Sequence, residues 1–303
     1  MTGSLLLVTA YVLLTVFLVA FVARTVRLAR LPVHLRWELA PIPHEKGKGH
    51  YGGSYLEEVD WWTKPREKSL VAEVRYMLLE IVFLKAVWEH NRALWWFSFP
   101  FHAGLYLLCV AAASFAFMTL GGLAGLGVAG APSLRAATTL VAGAGYVLGA
   151  IGALGLLAKR LLDRRLRDFT TPAGLFNLVL LLGVFATGLG VLASADYASD
   201  LTTFLGALAT GNTAVTVPGI AAAHVGVTFL FLAYLPFTPM MHFVAKYFTY
   251  HDVRWNDEPL IRGSRMEREI EGLLAQPVTW AGPHIRADGK KTWVDIATEE
   301  VGK

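Results

Sequence analysis

The chain has 303 residues, 55% of them hydrophobic and 17% charged, with a formal net charge of +4 and a mean hydropathy of +0.49. A soluble domain of this length carries more charge and interrupts its apolar runs more often, so the composition points to a membrane protein. The single cysteine, Cys109, excludes an intrachain disulfide, and it excludes any iron–sulfur cluster or structural zinc built by this chain alone.

A span needs about 20 mostly apolar residues to cross the hydrocarbon. The first candidate is Ser4–Ala23. Its core, Leu5–Val22, has no basic residues before it; Arg24, Arg27 and Arg30 follow it, and no small-residue cleavage site precedes them. The expectation is therefore an uncleaved helix. Residues 24–92 come next, with a Pro/Gly/His-rich loop at Pro41–His50. An amphipathic helix is expected over about residues 66–90, with Leu70, Val74, Leu78, Ile81 and Trp88 towards one side. Four more spans follow at Ala93–Leu120, Leu134–Ala158, Ala173–Ala193 and Gly219–Val244, rich in the glycine and alanine that suit close helix packing in lipid. The tail has a short helix over about residues 264–275. The fold class is thus an all-α membrane protein, a five-helix transmembrane bundle, with a membrane domain over 1–250 and a tail over 251–303.

Lysine and arginine set the orientation. With the N-terminus outside and the C-terminus cytoplasmic, the inside segments 24–92, 159–172 and 245–303 hold 12, 5 and 9 of the 27 basic residues, leaving only Arg135 near the outer side. The outer loops are 121–133 and 195–217. Trp88, Trp95 and Trp96 before the second span, and Tyr247, Tyr250 and Trp255 after the fifth, mark the inner interface. The expected location is multi-pass in the cell inner membrane. Neither long inside segment contains a nucleotide motif, no nucleic-acid partner is expected, and both segments suit docking of a cytoplasmic subunit.

Nine histidines divide by position. His34, His44, His50, His90, His251 and His284 are expected to be surface or interface polar residues. His102, His224 and His242 fall inside expected spans, where an ionisable group is expensive and usually faces the bundle interior for a function. One such residue is readily explained as a core histidine bonded to a neighbouring helix; three are not. On a continuous helix the 18-residue interval from His224 to His242 is five full turns, which puts both on one face about 27 Å apart. His102 lies at the depth of His242. Histidines from two facing helices can supply both axial ligands of a low-spin haem iron. No Cys-x-x-Cys-His occurs, so that haem would be non-covalent haem b.

Around these residues the chain resembles the membrane cytochrome b family of the respiratory nitrate reductase gamma subunit. The pieces that match are Phe101-His102-Ala103-Gly104, and His224 with Leu235-Pro236-Phe237 and His242. The tail over Lys246–Trp255 is more similar to the heterodisulfide-reductase-associated branch. The resemblance implies electron transfer between membrane quinone and a cytoplasmic iron–sulfur subunit, here a heterodisulfide-reductase-like one. It implies His102 and His242 as ligands of the haem nearer that partner, and His224 as a ligand of a second haem or a quinone contact. The family's usual second histidine, ten residues after the first, is Ala112 here, so one haem is expected rather than two. A haem-free anchor for a soluble redox complex is the alternative. A transporter is disfavoured, because the spans lack carboxylates and show no repeat.

Overall fold

The computed structural model describes residues 3–31, 42–48, 54–127, 131–194, 196–281 and 285–299. Among these, five helices are long and apolar enough to cross a membrane. They are α1 (Gly3–Ala29), α4 (Arg92–Leu123), α5 (Pro132–Leu162), α7 (Pro172–Leu192) and α9 (Gly219–Tyr234), the last running on through a 3₁₀ turn to Phe237. Shorter helices join and follow them: α2 (Leu70–Val82), α3 (Lys85–His90), α6 (Arg164–Arg167), α8 (Tyr197–Thr210), α10 (His242–Phe248), α11 (Arg265–Leu274) and α12 (Trp293–Thr298). The expected all-α fold with five spans is the one observed. Of the Pro/Gly/His-rich loop, Pro41, Gly49 and His50 lie outside the described residues.

Helix starts follow the local chemistry. The Asn91 side chain caps α4 by accepting from Leu94 N–H, and Thr171 caps α7 ahead of Pro172. The amphipathic segment expected over 66–90 is two helices, broken where Leu84 takes a left-handed backbone with φ 51°. The tail helix lies at Arg265–Leu274, close to expectation.

Two differences matter for the site. The stretch expected to be an outer loop, 195–217, contains α8. Asp196 caps it through Ser199 N–H, and Gly211 ends it at φ 73°. At 14 residues α8 is too short to span, and it folds because Tyr197, Ala198, Phe204 and Ala207 bury one face. The fifth span is also not one helix. Pro236 and Pro239 each lack an N–H, so the α-helix stops at Tyr234 and two 3₁₀ turns follow, with extended Thr238 between them. Thr238 bridges the break: its Oγ1 donates to Leu235 O (2.9 Å) and accepts from Met240 N–H (3.1 Å). The five even turns expected between His224 and His242 are therefore absent, because the helix between them is interrupted.

The chain divides into two compact units, Met1–Val22 with Arg75–Met241 and Ala23–Val74 with His242–Lys303. In the first, α4 and α5 approach at backbone distance through glycine. A methyl group at Gly104 would lie 2.4 Å from Gly149 N, and one at Gly152 would lie 2.4 Å from Phe101 N. Small residues at this spacing let van der Waals contact hold helices together in lipid. The core around them includes Phe101, Phe115, Met118, Tyr146 and Phe185. α1 joins through Leu6, Leu7 and Ala10, which pack with Phe204 and Val225. In the second unit, His44 and Arg66 meet Asp257 in a buried charged cluster.

Candidate functional site

His102 is placed by the glycine contact beside it. Phe101 faces α5 and is buried against Gly152 and Phe185. One residue further is about 100° around the helix, so His102 comes out half-buried on the flank of α4. Its Nδ1 lies 2.7 Å from the Ser98 carbonyl oxygen. A carbonyl only accepts, so Nδ1 carries the proton and, in the neutral ring, Nε2 carries the lone pair. This backbone bond is how a ligating imidazole is commonly oriented, and the residue fits an iron ligand bound through Nε2.

His242 opens α10 directly after the double 3₁₀ break, with an exposed side chain. It belongs to the second compact unit, whereas His102 belongs to the first. Of the three span histidines, His224 is the buried one, at 5% exposure.

The environment of His224 is fully specified. Nε2 lies 2.8 Å from the Tyr146 hydroxyl on α5, and Nδ1 lies 3.0 Å from Thr187 Oγ1 on α7. Thr187 directs its own proton to the Gly183 and Val184 carbonyls, so it accepts from Nδ1–H. Nε2 then accepts from Tyr146, whose oxygen accepts in turn from Tyr197 at 3.0 Å. The result is one directed chain, Tyr197 to Tyr146 to His224 to Thr187, across α8, α5, α9 and α7. Both ring nitrogens are engaged by protein hydroxyls. Ala112 and Cys109 are exposed on α4, away from its buried face of Ala111, Phe115 and Met118.

Sequence reasoning misses Tyr146, Tyr197 and Thr187. A signal exists for Tyr146: a phenol in the middle of a span needs a partner for its hydroxyl. Tyr197 is hidden because its segment resembles a loop.

The second unit holds a different polar site. His44 Nε2 pairs with Asp257 at 2.9 Å, and Arg66 also binds that carboxylate. Glu45 beside them accepts from Ser54 Oγ and Tyr55 N–H, each at 2.8 Å. Burial pushes the Asp257 carboxyl up, but the bonds from His44 and Arg66 outweigh it and hold it well below the usual range. Burial raises Glu45, and the neighbouring Asp257 adds to that against the lowering bonds from Ser54 and Tyr55. His44, expected as a surface or interface polar residue, is thus buried and paired. His251, in the π-helical turn Thr249–Arg254, donates from Nδ1 to the Tyr247 carbonyl and pairs through Nε2 with Glu73 at 2.9 Å. His90 is exposed, as expected, while His34, His50 and His284 lie outside the described residues. A cleft of about 950 Å³ opens beside His44, Arg66, Glu73 and His251, entirely within this unit.

No curated protein and no solved structure matches the chain. The family model of the nitrate reductase gamma subunit matches residues 87–256. That region runs from α3 to just past the π-helical turn and includes His102, His224 and His242. More than half of the chain is covered, and the chain therefore belongs to the nitrate reductase gamma subunit family, the membrane cytochrome b subunits of respiratory oxidoreductases.

Proposed function

We propose that this subunit carries electrons between membrane quinone and an iron–sulfur subunit on the cytoplasmic face of the cell inner membrane, with His102 and His242 as axial ligands of one haem b. The observation that carries the reading is the Nδ1–H bond from His102 to the Ser98 carbonyl, which leaves Nε2 as the coordinating nitrogen. The haem, when bound, supplies one-electron chemistry that no side chain here can. The chain's own residues hold and orient it. Ser98 fixes the His102 tautomer, while Phe101 and the α4–α5 glycines fix its position. The Thr238 turn leads directly into His242.

His224 suits a hydrogen-bonding role on the quinone side better than a second iron, since Tyr146 and Thr187 already occupy its nitrogens. The membrane domain is residues 1–250, with the inside segment 24–92 within it, and the tail over 251–303 joins that segment, through its part ahead of α2, in docking the partner, a heterodisulfide-reductase-like iron–sulfur protein. The bonds from His44 and Arg66 to Asp257, within one unit, support a joint surface.

The test is haem per protein by pyridine haemochrome assay. The expected result is about one for wild type and for His224→Ala, and near zero for His102→Ala and for His242→Ala. Two per wild-type protein, falling to one in His224→Ala, would sink the single-haem assignment. A wild-type protein without haem would favour a haem-free anchor.

A further inference from the structure

The family match begins at residue 87, so α2 lies outside it, and the second half of α2 has a surface that a helix in water would not keep. Leu78, Leu79, Ile81, Val82 and the following Phe83 are all exposed. A contiguous apolar face of this kind marks a surface that something else covers. The one acidic residue among them, Glu80, is turned away and buried at 3% exposure. Arg75 is exposed, but it lies in the second turn, where a long stem can carry its charge back to the headgroups.

Two bonds fix how deep α2 goes. A helix end leaves carbonyls with no partner within the helix, and in hydrocarbon those must be satisfied by protein. The Tyr106 hydroxyl donates to Ile81 O at 2.7 Å, and Trp95 Nε1 donates to Phe83 O at 2.8 Å. Both donors belong to α4, a membrane-spanning helix. From Arg92 to Tyr106 is about 21 Å along the axis at 1.5 Å per residue. The phenol points back about one turn, so the Ile81 carbonyl sits about 15 Å beyond the start of α4. Phe83 stacks with Phe99 at 6.5 Å. From there the chain reverses at Leu84, in a left-handed conformation uncommon for leucine. It returns through α3, whose Trp88 meets Trp95 at 4.8 Å and lies under the Arg92 guanidinium.

We propose that α2 and α3 form a re-entrant hairpin set into the leaflet that α4 enters, with Leu78, Ile81, Val82 and Phe83 covered by lipid acyl chains and not by a protein partner. This apolar face continues the lipid-facing belt of α4, where Trp96 and Val110 are also exposed. The hairpin's deep end is fixed beside the haem-ligand candidate, since the Tyr106 ring lies 6.4 Å from that of His102. The hairpin needs only the membrane spans and stands whether or not His102 binds iron.

The experiment uses the full chain in liposomes, with Cys109→Ala as background and nitroxide labels on Leu78→Cys and Val82→Cys, one at a time. Leu140→Cys, at an exposed position of α5, gives the lipid reference, and Glu271→Cys on α11 gives the aqueous reference. The expected result is that collisions with oxygen exceed those with a water-soluble nickel chelate at positions 78 and 82, as at 140. Preferential access to the nickel chelate, as at 271, would overturn the proposal. So would protection from both reagents, which would mean that a protein surface covers α2.

Discussion

His102 is oriented by a backbone carbonyl, His242 begins a helix after a break, and His224 is tied at both nitrogens. Three histidines that look alike in the sequence thus have three different chemistries. The environment of His224 can be tested through its neighbour. Tyr146→Phe removes the donor to Nε2 and the acceptor for Tyr197, leaving buried polar atoms unmet at a cost of about 1–3 kcal/mol. The expected outcome is a lower thermal midpoint with haem per protein unchanged. Loss of haem in this variant would tie His224 to the iron after all.

Among the helices, the α4–α5 contact is the joint that positions His102. Its sequence signal is composition: glycine and alanine in both spans. Which glycines meet which backbone is not visible there, because that depends on helix rotation and crossing. A methyl group at Gly152 would meet Phe101 N at 2.4 Å and its Cα at 2.6 Å, both backbone atoms that cannot move aside. Gly152→Ala should therefore destabilise the bundle by about 1–3 kcal/mol and weaken haem retention on gel filtration, since Phe101 adjoins His102. Gly226→Ala, with open space around it, is the control and should lower neither. Equal losses from the two would show that close approach is not what the glycine at 152 provides.

Across the chain as a whole, the second unit depends on one buried carboxylate. Asp257 is held below the usual range, so its contribution is present above the unfolded carboxylate value of about 3.9 and is lost as pH falls further. Glu45 has the opposite sign: its raised value means that its share is lost as pH rises. Asp257→Asn removes the carboxylate that His44 and Arg66 bind, and breaking a buried pair this way costs about 3–5 kcal/mol. Hydrogen exchange should then speed up in residues 42–48 and 249–257 while α4, α5 and α7 stay protected. Loss of protection in the span helices as well would mean that the two units unfold together. Topology is a property of the full chain too. Reporter fusions after residues 60, 165 and 290 should report the cytoplasm, and fusions at 128 and 205 the other side. A cytoplasmic signal at 205 would overturn the orientation.

Hydropathy along the chain was enough to yield the number of spans and their approximate limits, and short motifs were enough for the family. Hydrocarbon demands long apolar helices whatever their neighbours are, and that demand is written locally. The place of His102 within the second span was also legible, since it lies in an apolar run beside Ala103 and Gly104. Three features needed the folded chain. The break at Pro236 and Pro239 depended on whether Thr238 could satisfy the freed backbone groups. The environment of His224 depended on two hydroxyls, from residues 37 and 78 positions away in the chain. The burial of His44 depended on Asp257, 213 residues later. Such long-range polar pairing leaves no periodic trace in a sequence, because it is set by which elements pack together and at what rotation.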